Sequence, residues 1–144
     1  MLQRFLVISV ILFLPFLGLA LGKRSKETAF SPIYLGKFGK YSKWIKAQAR
    51  HETGNFTSDI YKRLNNAFGM KDASRRLQFG EDVQGEYRKY KHIGESVKDF
   101  IQWMEYTNFP ADIDNIEKYI SALKERRYFE DAFDNYLKGV QSFL

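Results

Sequence analysis

The chain has 144 residues, a formal net charge of +6 and no cysteine, and aromatic residues make up 17% of it. This length holds one domain with a modest core, and the lack of cysteine excludes a disulfide framework and any thiolate metal site. The charge is uneven: residues 23–50 carry eight basic residues and one acid, whereas residues 95–144 carry six basic and ten acidic. A basic leading segment favours anionic partners such as phospholipid headgroups. No nucleic-acid-binding motif accompanies it, so nucleic acid is not expected as a partner.

The chain opens on an apolar run, FLVISVILFLPFLGLAL from Phe5 to Leu21, broken only by Ser9. Ala20-Leu21-Gly22 offers small residues at the spacing of a signal-peptidase site. The run also approaches the roughly 20 residues that span a bilayer. Residues 1–22 therefore read as a hydrophobic helix, either a cleaved signal peptide or a retained transmembrane anchor. Lys23, Arg24 and Lys26 follow it, and positive flanks prefer the cytoplasmic side, which is in tension with export. Residues 23–40, with Pro32, Gly36, Gly39 and no sustained period, read as a linker. The domain is then expected over residues 41–144.

Within SKWIKAQARHETG, residues Trp44, Ile45, Gln48, Ala49 and Glu52 share one face of a helix running from Ser42, its expected N-cap, to Thr53. Gly54 supplies the stop. Glu52 thus falls in the last turn, on the inward face and beside the negative end of the helix dipole. Both effects favour the protonated carboxyl and predict a raised pKa, the property of a general acid near neutrality.

A short helix follows near Ser58–Asn65, capped by Thr57 or Ser58, and NNAFGMK (65–71) breaks it with a turn. Residues 74–91 alternate loosely around Gly80 and Gly85 and predict a small hairpin. GESVKDFIQWMEY (94–106) predicts a helix starting at Glu95 or Ser96, with Val97, Phe100, Ile101 and Met104 inward. Pro110 ends that element. Two further helices are expected over Ile113–Lys124, with Ile116, Tyr119, Ile120 and Leu123 inward, and over Phe129–Phe143. There is no internal repeat. The expected fold is mainly α, a helical body with a small β-hairpin lobe, and Glu52 stands at a helix end between the two.

Several chemistries drop out. His51-Glu52 is not followed by a second histidine at position 55, so HExxH is absent, and His51 and His92 alone are too few for a typical zinc site. There is no phosphate-binding glycine loop and no GxSxG elbow. No metal or cofactor is expected.

The stretch AQARHETGNFTSDIYKRLNNAFGMK (47–71) resembles the signature of the bacterial and phage glucosaminidase family, a lysozyme-like group that cuts peptidoglycan glycan strands. The resemblance rests on Glu52-Thr53-Gly54, Ser58, Asn65-Asn66 and Phe68-Gly69-Met70-Lys71. It continues through Tyr87, Tyr90, Ser96 and Asp99, and LKERRYFEDAFDNYLKGV (123–140) is similar to the closing helix pair. Phe129 and Glu130 stand there in place of the usual small residues. The resemblance implies a lysozyme-like fold with Glu52 as general acid and Asn66, Phe68 and Gly69 lining the cleft. Tyr90 would stand beside the acid, with Tyr87 near it. For a catalytic base it leaves Glu81, Asp82 and Glu86, of which Glu86, in the strand with both tyrosines, is preferred. The base can equally be the substrate's acetamido group, or an internal sugar hydroxyl as in lytic transglycosylases.

The expected function is cleavage of the β-1,4 bond after N-acetylglucosamine, in wall remodelling or in phage lysis or entry. The protein is expected to work as a monomer at the cell envelope, exported or membrane-anchored, or as part of a virion. The alternatives are a lytic transglycosylase and a non-catalytic, membrane-anchored glycan-binding or virion structural protein.

Overall fold

The computed structural model describes residues 25–83 and 87–144. The apolar run and Glu86 lie outside the described residues. Among those described, no helix is long and apolar enough to cross a membrane.

The segment expected as a linker is instead part of the domain. It forms two short helices, α1 (Lys26–Ala29) and α2 (Pro32–Leu35), and a 3-10 helix, Gly36–Tyr41. Ser25 and Ser31 cap the two α-helices through their side chains, and Pro32 stands in the first turn of α2, where its missing N–H is not needed. The reason for order is burial: Phe30, Leu35 and Phe38 are almost completely covered. Gly39 allows the close turn, because a Cβ there would lie 2.5 Å from the Pro32 carbonyl oxygen.

Helix α3 runs from Ser42 to Glu52 as expected. Ser42 does not cap it, however; its hydroxyl donates to the Phe30 carbonyl and ties α3 to the preceding segment. Helix α4 (Asp59–Leu64) is capped by the Ser58 side chain, and Asn65 ends it in the left-handed region. Strands β1 (Glu81–Val83) and β2 (Tyr87–Lys89) pair antiparallel with Glu81 opposite Lys89. Helix α5 (Ile93–Tyr106) buries Val97, Phe100 and Met104, with Ile101 only half-buried.

Helix α6 (Ile116–Glu125) begins later than the periodicity suggests, because Asn115 caps it and the Ile113 N–H is taken by the Tyr41 hydroxyl at 2.8 Å. It buries Tyr119, Ile120 and Leu123, and leaves Ile116 half-buried. Helix α7 (Phe133–Gln141) also begins later, since the Lys124 ammonium holds the Glu130 and Asp131 carbonyls outside it.

The core is a helical body centred on Tyr41, whose ring packs against Trp44, Phe109 and Tyr119. The hairpin is hung on this body. Tyr90 N–H bonds to the Leu64 carbonyl and Arg88 N–H to the Met70 carbonyl. Beneath it sits Asp99, with no solvent exposure. Its carboxylate accepts two bonds from Arg76 (2.5 and 3.2 Å) and one from the Tyr90 hydroxyl (2.7 Å). A buried carboxylate left without its cation costs about 3–5 kcal/mol. Arg76→Met is therefore expected to lower stability by about that amount, and urea unfolding of the two proteins checks it.

Candidate active site

Glu52 is the last residue of α3, one turn beyond fully buried Gln48 and on the same face. The helix runs out as that face reaches the surface, and Glu52 is an exposed residue at its end. Its oxygen Oε1 accepts a 2.5 Å hydrogen bond from the Tyr136 hydroxyl. Burial raises the Glu52 pKa, and the Tyr136 bond, which favours the ionised form, offsets part of that rise. The side chain is thus open to solvent as a residue while its carboxyl is crowded enough by its surroundings to shift upward.

Tyr136 reaches the acid because α7 lies close to α3. A Cβ at Gly139 would collide with the His51 ring, so a side chain there would force the imidazole or the helix to shift. The His51 ring meets Tyr136 edge-on at 5.0 Å, and Phe129 stacks flat on its other contact surface at 3.8 Å. The tyrosine is thereby held between two rings with its hydroxyl aimed at Glu52.

After Glu52 the backbone reverses sharply. Gly54, Asn55 and Phe56 all have positive φ, a conformation that costs a bulky residue about 1–3 kcal/mol. Thr53 holds the reversal: its hydroxyl donates to the Ala49 carbonyl at 2.6 Å and accepts the Phe56 N–H at 2.8 Å. Phe56 then packs on Phe30 and Tyr61.

A groove of about 400 Å³ is lined by Gly69, Lys71, Trp103, Arg127, Tyr128 and Phe129 among others. Its links to Glu52 are indirect. Phe129 stacks on Tyr136, and the Tyr128 hydroxyl, close enough to feel the Glu52 charge, donates to the Phe68 carbonyl at 2.8 Å. Glu52 itself is not among the lining residues of that groove.

The residues expected at the site separate into two groups. Gly69 is exposed at the groove in the left-handed region, and the Tyr87 ring lies 3.9 Å from where its Cβ would be. Phe68 contributes backbone, while its ring is buried on Phe100 at 4.2 Å. Asn66 is 1% exposed and internally satisfied. Its amide donates to the Met70 and Arg88 carbonyls and its oxygen accepts from the Met70 N–H, so it shapes the loop and does not face a ligand. Tyr90 departs most from expectation. Its ring is 1% exposed and its hydroxyl is committed to Asp99, so in this structure it braces the hairpin and offers no free hydroxyl to a sugar or a water. Glu81 and Asp82 are exposed on β1. Sequence reasoning missed Tyr128, Phe129 and Tyr136. Only the helical spacing of Tyr136 and Val140, both buried on α7, marks that face in the sequence.

A protein-family model described as glucosaminidase, mannosyl-glycoprotein endo-beta-N-acetylglucosaminidase, matches residues 34–143. The chain belongs to the glucosaminidase family. No curated protein and no solved structure matches it. The match begins inside α2, in keeping with the packing of that segment into the domain. As a member of this family the protein is a glycosidase of the peptidoglycan type, acting on glycan.

The raised Glu52 pKa has a stability consequence. Below the ordinary value of 4.5 the group is protonated in both folded and unfolded chains and contributes nothing. As pH rises from 4.5 through the higher folded value, the unfolded chain ionises more easily, so the folded state loses stability and stays lower at neutrality. Glu52→Gln, which keeps an acceptor for Tyr136, is expected to melt above the parent at pH 7, with the gap closing below about pH 4. Thermal unfolding across pH measures this.

Proposed function

We propose that the glucosaminidase domain cleaves the β-1,4 bond following N-acetylglucosamine in peptidoglycan, with Glu52 as general acid. The observation that carries this reading is the Glu52 carboxyl, raised in pKa by burial and held by Tyr136, which Phe129 links to an open aromatic groove. A protonated carboxyl at that place can donate to the glycosidic oxygen as the bond breaks. Trp103, Tyr128 and Phe129 offer apolar faces to sugar rings. Tyr136 keeps the departing proton's oxygen in one orientation, and its bond strengthens as Glu52 becomes anionic.

Glu86, next to Tyr87 in the sequence, remains our choice of base. The competing course, in which an internal sugar hydroxyl attacks, uses the same acid and differs in product. We place the protein at the cell envelope, exported or held by its N-terminal apolar segment, in keeping with a wall substrate.

Glu52→Gln is expected to reduce clearing of purified sacculi by about 10²–10⁴-fold. Undiminished clearing by the variant would sink the assignment. Activity of the parent should fall as pH rises through the Glu52 pKa, because the acid must carry its proton. Tyr136→Phe removes a bond that favours the ionised form, so that descending limb should move to higher pH. Mass spectrometry of the fragments should find reducing N-acetylglucosamine ends; anhydromuramic ends would mean a transglycosylase.

A further inference from the structure

Six basic side chains, Lys37, Lys46, Arg76, Arg88, Lys118 and Arg126, form ion pairs among the described residues. Lys26, Lys62 and Lys91 form none, and the three converge on one basin of about 460 Å³. No carboxylate lines it. Lys91 stands at its edge, since it also lines a neighbouring depression with Glu81 and Glu95, whose oxygen accepts the Lys91 N–H.

Three lysines that line one hollow, none ion-paired among the described residues, give it a positive potential that an anion relieves. The Lys26 ammonium is fixed by the Phe56 and Tyr61 rings, at 4.7 and 5.5 Å from their centroids. Tyr61, which also lines the basin, has a hydroxyl that makes no hydrogen bond among the described residues, whereas the Ser25 hydroxyl there is engaged with Thr28. Lysines beside a hydroxyl free to donate suit the oxygens of a phosphate. The basin shares no lining residue with the aromatic groove.

Its position decides the source of the phosphate. The apolar run ends at Leu21, four residues before Ser25, and four residues span at most about 14 Å. If that run sits in a bilayer, the basin stands within headgroup reach. We infer that the basin of Lys26, Lys62 and Lys91 binds the phosphate of an anionic phospholipid headgroup and so fixes how the domain rests on the membrane. This rests on the envelope location proposed above, with the apolar segment retained.

The full chain in uncharged maltoside micelles, titrated with phosphatidylglycerol and followed by amide NMR, tests it. Saturable shifts are expected at Ser25, Asn65, Lys91 and Ile93, with none from phosphatidylcholine. The triple variant Lys26→Gln, Lys62→Gln, Lys91→Gln should bind roughly 100-fold more weakly, at about 5-fold per lysine near an anionic surface. Lys43→Gln, Lys118→Gln, Lys138→Gln removes the same charge elsewhere and should leave the titration unchanged. Shifts spread over all lysines, equal loss in the control variant, or an unaffected triple variant would each overturn the basin. Inorganic phosphate giving the same shifts at the same concentration would overturn the lipid assignment. N-terminal sequencing that found the chain cut near residue 22 would overturn the location and the headgroup together. A failed titration on an uncut chain overturns the basin alone.

Discussion

Helix α7 packs against the end of α3, and Gly139 leaves the space that the His51 ring fills. From that one approach the electrostatics of Glu52 follow. The helix brings Tyr136 to the carboxyl, and the ring that donates the hydrogen bond also displaces water from it. The two effects act in opposite directions on the same proton. Burial dominates, so the carboxyl stays above its ordinary pKa while keeping a donor ready for its anionic form. A glycine at 139 is thus as much a part of the site as the acid it never touches.

The hairpin depends on a different constraint, the buried carboxylate of Asp99. Arg76 comes from the irregular stretch before β1 and Tyr90 from the end of β2, and both converge on it. Short strands of three residues cannot stand alone in water. Here their position relative to the body is set by charge-assisted bonds in a site without solvent, where a missing partner is expensive. This explains why Tyr90 is turned inward. Its hydroxyl gives the carboxylate oxygen a second, shorter bond beside that from Arg76, and Tyr87, three residues earlier, is left to lie against Gly69 at the groove.

The parts of this arrangement that were legible in the sequence are those fixed by neighbours along the chain. The face of α3, the Ser58 cap, the hairpin and the buried stripe of α5 all follow from spacings of two to four residues. The rest depends on distant contacts. Phe30, Leu35 and Phe38 have no period, and only their burial against the body shows that residues 26–41 are not a linker. Tyr136 bonds to a residue 84 positions away, and no local pattern carries that information. Asn66 illustrates a subtler limit. Its motif marks it out correctly, but the motif does not say whether the amide faces a ligand or its own loop, and here it faces the loop.

An acid that must meet a polymer cannot be fully buried, and one that is fully solvated cannot hold its proton at neutrality. On the reading proposed above, Glu52 lies between these limits: it is exposed at the end of a helix, and its carboxyl is bonded to Tyr136 and shifted upward. Phe129 belongs to two surfaces at once, the wall of the groove and the stack that holds Tyr136. A glycan strand lying on Phe129 would therefore press on the ring whose hydroxyl bonds the acid, so occupancy of the groove would be felt at Glu52 through one stacked pair and one hydrogen bond.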